Sequence, residues 1–181
     1  MPHLRCTQKL LNTLGIQKAL IQSEGQSVIL GDWYANLLII SRQTALLFTN
    51  EPTLYSFAVL GVKKAALPTI TTLFVESLKL NLAHEDIPAY VVDRLVADYR
   101  NLSLAGTANR SVLGSMNDLA NLLEHYVRDT EMASDVRQIN RELNRTPHKP
   151  LGWKSAIDVL HERLLGAFAV PGRPRSRVFV N

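Results

Sequence analysis

The chain has 181 residues, 46% of them hydrophobic, and a net charge of +4, which is enough for one domain with its own core and too little for two ordinary ones. No run of about 18 apolar residues occurs, which argues against a membrane-spanning helix, and the start Met1-Pro2-His3-Leu4-Arg5-Cys6-Thr7 lacks the long apolar stretch of an export signal. Cys6 is the only cysteine, so no internal disulfide can form, and the expected compartment is a reducing cytoplasm.

Residues His3 to Cys6 read as a short strand. Thr7 is placed to cap a helix that runs to Leu14 and stops at Gly15, with Leu10, Leu11 and Leu14 as its apolar stripe. Residues 17–26 are ambiguous and fit a second short helix. Trp33 to Ser41 and Thr44 to Thr49 are two apolar runs separated by the polar Arg42-Gln43, the pattern of a hairpin. Asn50-Glu51-Pro52 reads as a turn, because proline cannot donate to a ladder and asparagine tolerates turn geometry. Leu54 to Leu60 completes a three-stranded meander.

Helices dominate from there on. Pro68 suits a first helical turn, and Ile70, Leu73, Phe74, Leu78 and Leu82 recur at helical spacing. A second helix follows Asp86-Ile87-Pro88, with Tyr90, Val91, Leu95 and Tyr99 as its stripe. Leu102 to Ala105 fits one more short strand. Ala108 to Arg128 is the longest helix, Asp135 to Leu143 a shorter one, Asn144 to Pro150 a loop, and Ser155 to Leu165 the last helix. The expected architecture is α+β: a small antiparallel sheet, made of the meander and the N-terminal strand, packed against several helices. Residues 1–168 form the domain, and residues 169–181 are expected to form a mobile basic tail.

Charge is unevenly distributed along this plan. Residues 133–181 hold nine Lys/Arg against four Asp/Glu, whereas the first 132 hold eleven against twelve. A basic C-terminal quarter points to an anionic partner such as DNA or RNA, although a modest excess is also what an ordinary solvated surface carries.

Four stretches offer chemistry. In the long helix, 3.6 residues per turn gather Arg110, Asn117 and Asp118 around Gly114, with Ser111 and Ser115 beside them. A glycine inside a helix costs roughly 1 kcal/mol relative to alanine and suggests close approach by a backbone or a ligand. That face would grip either a phosphate or base edge, or the meander itself through a buried Arg110–Asp118 network. On the meander, Trp33 and Tyr34 are either stacking surfaces or core aromatics, and Asn36 needs partners that Arg110 or Asn117 would supply. Glu51, at a strand end, is a candidate catalytic acid or a solvated turn residue. In the loop from Asn144 to Ser155, four basic-capable residues, Arg145, His148, Lys149 and Lys154, flank Trp153. This dozen-residue stretch resembles the tail of some insertion-sequence transposases, but the chain offers no spaced acidic triad for their metal site.

The chain shows no zinc-ligand spacing, phosphate loop, dinucleotide fingerprint or nucleophile elbow, so no cofactor or metal is expected. The segments Leu4-Arg5-Cys6-Thr7-Gln8-Lys9-Leu10-Leu11, Asp32-Trp33-Tyr34-Ala35-Asn36, Leu46 to Glu51 and Asn109 to Asp118 occur in an order that resembles an uncharacterised bacterial family, a domain of unknown function, over residues 3–165. The resemblance implies no activity. The leading expectation is a nucleic-acid-associated protein of a plasmid, phage or toxin–antitoxin locus. A small enzyme acting on a phosphate-bearing or nucleotide substrate at Arg110, Asn117, Asp118, Asn36 and Glu51, and a module that acts through a protein partner, are the alternatives.

Overall fold

Trp33–Ile40 (β2) and Gln43–Asn50 (β3) pair in full register, from Ile40 opposite Gln43 to Trp33 opposite Asn50. Only Ser41 and Arg42 remain for the turn, both with positive φ (49° and 65°), as a two-residue hairpin with the twist of its strands requires. The polar break expected at Arg42-Gln43 therefore sits one residue earlier, since Gln43 pairs in the ladder. Ser56–Val59 (β4) adds antiparallel to β3. The turn between them is locked by Asn50, whose buried amide donates to the Leu30 and Asp32 carbonyls and accepts from Thr53 Oγ1.

The computed structural model describes residues 1–16, 28–129 and 135–168. The ambiguous stretch 17–26 and the expected tail 169–181 lie outside the described residues. His3–Cys6 (β1) pairs parallel with β2 on one side and with Ser103–Gly106 (β5) on the other, giving the sheet order β4-β3-β2-β1-β5. The α+β class is as read from the sequence, but the sheet is larger than expected and mixed. Parallel neighbours need crossovers, and for β5 the chain supplies one through Ile70–His84 (α2) and Ala89–Ala97 (α3). The helix Gln8–Thr13 (α1) follows β1 directly. Thr7 stands at its N-cap position without capping it, because its hydroxyl is turned to Asn36 Oδ1 (3.1 Å).

Two helical layers cover the sheet. On one face Trp33, Phe48 and Phe57 pack around Phe74 of α2, and Tyr99 closes the cluster from the end of α3. Tyr90, expected on that stripe, is exposed, because the buried face of α3 is Val91, Val92 and Leu95. On the other face Arg110–Arg128 (α4) lies over β2 and β3.

Val136–Arg145 (α5) runs beside the free edge of β4. Two of its asparagines, four residues apart, complete the ladder that a further strand would otherwise have made. Ser56 N–H donates to Asn144 Oδ1 (2.7 Å) and Asn144 Nδ2 donates back to Ser56 O (2.7 Å). Ala58 N–H and carbonyl make the same exchange with Asn140 (2.8 and 3.2 Å). An unpaired edge invites association with other chains, and here side-chain amides close it. Beyond α5 come a two-residue strand, Pro147–His148 (β6), a 3-10 turn, Lys149–Leu151, a second short strand, Lys154–Ser155 (β7), and the last helix, Ala156–Phe168 (α6). What reads as loop around residues 147–155 is thus a small hairpin.

Candidate functional site: the cleft between α4 and the β6–β7 hairpin

The start of α4 is fixed by Asn109. Its side-chain oxygen accepts from Ser111 N–H (3.0 Å) and Val112 N–H (3.4 Å), satisfying two of the orphan donors of the first turn. Its own N–H donates to the Tyr34 hydroxyl (2.9 Å), and its amide donates to Glu51 Oε1 (3.1 Å). Glu51, expected as a catalytic acid or a free turn residue, thus steadies the helix cap. Tyr34 is buried with its hydroxyl engaged, and burial raises its pKa, with Asn109 opposing. The polar contact between helix and meander runs through Asn109, one residue ahead of the face expected to make it.

That face divides. Val112, Ser115, Met116, Leu119 and Leu123 are buried. Arg110, Asn117 and Asp118 are exposed, and no buried Arg110–Asp118 network forms among the described residues. A Cβ added at Gly114 would meet nothing within 4 Å, so the glycine answers to no close neighbour. Asn36 is half-buried and pairs with Thr7, and neither Arg110 nor Asn117 partners it as expected, because both point to solvent. Trp33 is no stacking surface for a base: it is wholly buried, bonded through Nε1 to Tyr99 Oη (3.1 Å), with Tyr55, Phe57 and Phe74 around its ring. Tyr34 is excluded from that role by the same burial.

A cleft of about 460 Å³ opens where α4 meets the hairpin, within the usual size of small-ligand sites, roughly 300–1,000 Å³. From α4 it takes Ser111, Gly114, Ser115 and Asp118, and from the hairpin His148, Lys149 and Trp153. Two stretches singled out separately in the sequence therefore meet here. At about 100° per residue the cleft stripe is 111, 114, 115, 118, which leaves Arg110 and Asn117 roughly a third of a turn away.

The hairpin presents its tryptophan under constraint. Trp153 N–H donates to His148 O and Gly152 N–H to Lys149 O, both at 3.0 Å. Gly152 and Trp153 both take φ of 65°. Left-handed backbone suits glycine and is strained for a bulky residue, by on the order of 1–3 kcal/mol. Trp153 is nonetheless 69% exposed, so core packing does not explain it. It stands between two depressions, the α4 cleft and a groove of about 670 Å³ edged by Lys154, Asp158 and His161.

His148, read from the sequence only as one of the basic-capable residues flanking Trp153, is buried in the cleft wall. It is 8% exposed, and its Nε2 is buried with no hydrogen-bond partner among the described residues. An unmet polar atom of this kind costs about 1–3 kcal/mol. Burial lowers its pKa, and the nearby Asp118 carboxylate acts in the opposite sense. A proline-flanked histidine carries no sequence signal of this environment.

Two of the basic candidates, Arg145 and Lys154, are occupied. Arg145 donates from both terminal nitrogens to Glu85 (3.3 and 3.0 Å), whose side chain is 3% exposed. That hydrogen-bonded pairing raises the Arg145 pKa and marks the arginine as the counter-charge of a buried carboxylate. Lys154 is bonded to Glu162 at the surface. Lys149 is exposed beside the cleft, and Arg137 and Arg141 line a shallow groove along α5. Cys6 is buried, and burial pushes its thiol up to about 12, so it carries no thiolate near neutral pH. Among the described residues no helix is long and apolar enough to cross a membrane.

Residues 3–159 match the family model described as Domain of unknown function (DUF6933), and the chain belongs to that family. No curated protein matches the sequence.

Proposed function

We propose that this member of the DUF6933 family is a cytoplasmic nucleic-acid-binding module that engages an unpaired stretch of DNA or RNA at the cleft between α4 and the β6–β7 hairpin. The observation that carries this reading is Trp153, 69% exposed and held in left-handed backbone at the cleft rim. Every base has a π-face, and an exposed aromatic ring stacks on any of them. Lys149 beside it, with Arg137 and Arg141 on α5, supplies phosphate contacts, while Arg145 is committed to Glu85. A plasmid, phage or toxin–antitoxin setting would suit such a module.

Filter binding with a single-stranded oligonucleotide at low salt tests it. Binding is expected to weaken as salt rises, with a log–log slope near −2 if about three phosphates are neutralised. Trp153→Ala is expected to weaken it by about 1–3 kcal/mol. No affinity at low salt, or unchanged affinity in Trp153→Ala, would overturn the reading.

A further inference from the structure

We infer that the α4 cleft selects a guanine base, with the Asp118 carboxylate reading its Watson–Crick edge and His148 completing the recognition from the cleft wall. The inference rests on the nucleic-acid reading above and deepens it by naming the base.

An ionised carboxylate only accepts hydrogen bonds, and its two oxygens can take two parallel N–H groups at once. Of the common bases only guanine presents two adjacent donors, the ring imino and the exocyclic amino groups. Adenine and cytosine place a ring acceptor next to their amino group, and uracil and thymine place their one imino donor between two carbonyls. Each of those would set an acceptor against one oxygen of Asp118. On the α4 wall Asp118 lies one turn beyond Ser115 and Gly114, and Gly114 adds no side chain above the carboxylate. Trp153 stands across the same cleft, where a base stacked on its ring would meet that wall.

The wall also carries an unmet demand. His148 is more than nine-tenths buried, lines the cleft, and has Nε2 without a partner among the described residues. A neutral imidazole donates from one ring nitrogen and accepts at the other. With the proton on Nε2, which is closed to solvent, it would donate to the six-carbonyl of guanine once the bound base displaces the atoms that cover it. Carbonyl, imino and amino groups follow one another along a single guanine edge. His148 and Asp118 thus offer the complementary order of donor, acceptor, acceptor.

The test titrates the purified protein with the 5′-monophosphates of guanosine, adenosine, cytidine and uridine, followed by calorimetry, alongside oligonucleotide binding. The guanosine nucleotide is expected to bind at least about tenfold more tightly, the lower part of what a bidentate base contact discriminates. Asp118→Asn keeps the shape but removes one acceptor. As Asp118 is exposed, the variant is expected to fold. It should lose the guanosine preference while binding the other three nucleotides as well or better, because a negative charge near their phosphates is gone. Oligonucleotide binding with equal affinity for all four nucleotides, or a guanosine preference that survives Asp118→Asn, would overturn the base assignment and leave the proposed function standing. Absence of oligonucleotide binding would overturn the function itself.

Discussion

The two tryptophans of this chain answer opposite demands. Trp33 fills the centre of the aromatic core and has its indole N–H bonded to Tyr99, whose own hydroxyl donates to Gly31 O (2.7 Å). Trp153 is exposed, has no side-chain hydrogen bond among the described residues and takes strained backbone. A sequence places both in aromatic-bearing stretches and cannot tell them apart, since burial depends on which layer later covers them. His148 shows the same limit from the other side. Its loop looks solvated, yet the hairpin folds its ring under the cleft. Burial lowers the His148 pKa below its ordinary value near 6.5, so the unfolded chain takes up the proton more readily. The sign follows from linkage: the contribution is fully present above about pH 6.5 and is lost as pH falls from there through the lowered folded value. Half-buried His161, lowered chiefly by burial, adds in the same direction. Urea denaturation between pH 7 and pH 5 is expected to show stability falling with acidity, and a shallower fall in His148→Gln. An identical profile in that variant would remove His148 from the account.

Elements were legible to the extent that periodicity governs them. The meander and α4 follow from alternation and helical spacing, whereas the caps do not: Asn109 and Asp135, which hold the starts of α4 and α5, read as residues within those helices, and Thr7, read as a cap, makes no capping bond. The parallel placement of β1 between β2 and β5 was not legible, because strand order is a property of crossovers and not of any strand's residues. Nor was the work of α5. Asn140 reads as an ordinary polar helix residue and Asn144 as the first residue of a loop, yet α5 runs on to Arg145, and only the meeting of both with the β4 edge makes them its hydrogen-bond partners. Replacing Asn144 by alanine strands the buried Ser56 N–H and carbonyl, and is expected to cost about 2–4 kcal/mol, roughly 1–2 for each group. Chemical denaturation would measure it. A loss under about 0.5 kcal/mol would mean that the edge is not held this way. Because the free edge would then be open to pairing, self-association of the variant in sedimentation is a second expected readout.

The whole molecule joins its charge pattern to its architecture less simply than the count of basic residues suggests. Arg145 neutralises a buried carboxylate that links α5 to the end of α2, so Arg145→Ala is expected to destabilise the fold by on the order of 1–3 kcal/mol, discounted for its 38% exposure. Its oligonucleotide affinity, once folded, is expected to stay within about twofold, or roughly 0.4 kcal/mol, of the parent. A folded variant with sharply weaker binding would instead make Arg145 a phosphate contact. The candidate site was half legible: Ser111, Ser115, Asp118, Lys149 and Trp153 come together as residues of one cleft, whereas Arg110 and Asn117 turn away and Glu51, Asn36, Tyr34 and Trp33 belong to the framework. Which stripe of a helix meets a distant hairpin depends on packing angles that helical periodicity alone does not contain.

Trp153 is, on the function proposed, the surface on which the ligand stacks. Trp33 is buried and Trp153 exposed, so the long-wavelength part of the tryptophan emission reports Trp153. Titration with a short guanine-containing single strand at low salt is expected to quench that emission saturably in the parent protein and to leave it unchanged in Trp153→Phe, which retains Trp33. Binding that saturates by filter assay while the parent's emission does not move would contradict the account.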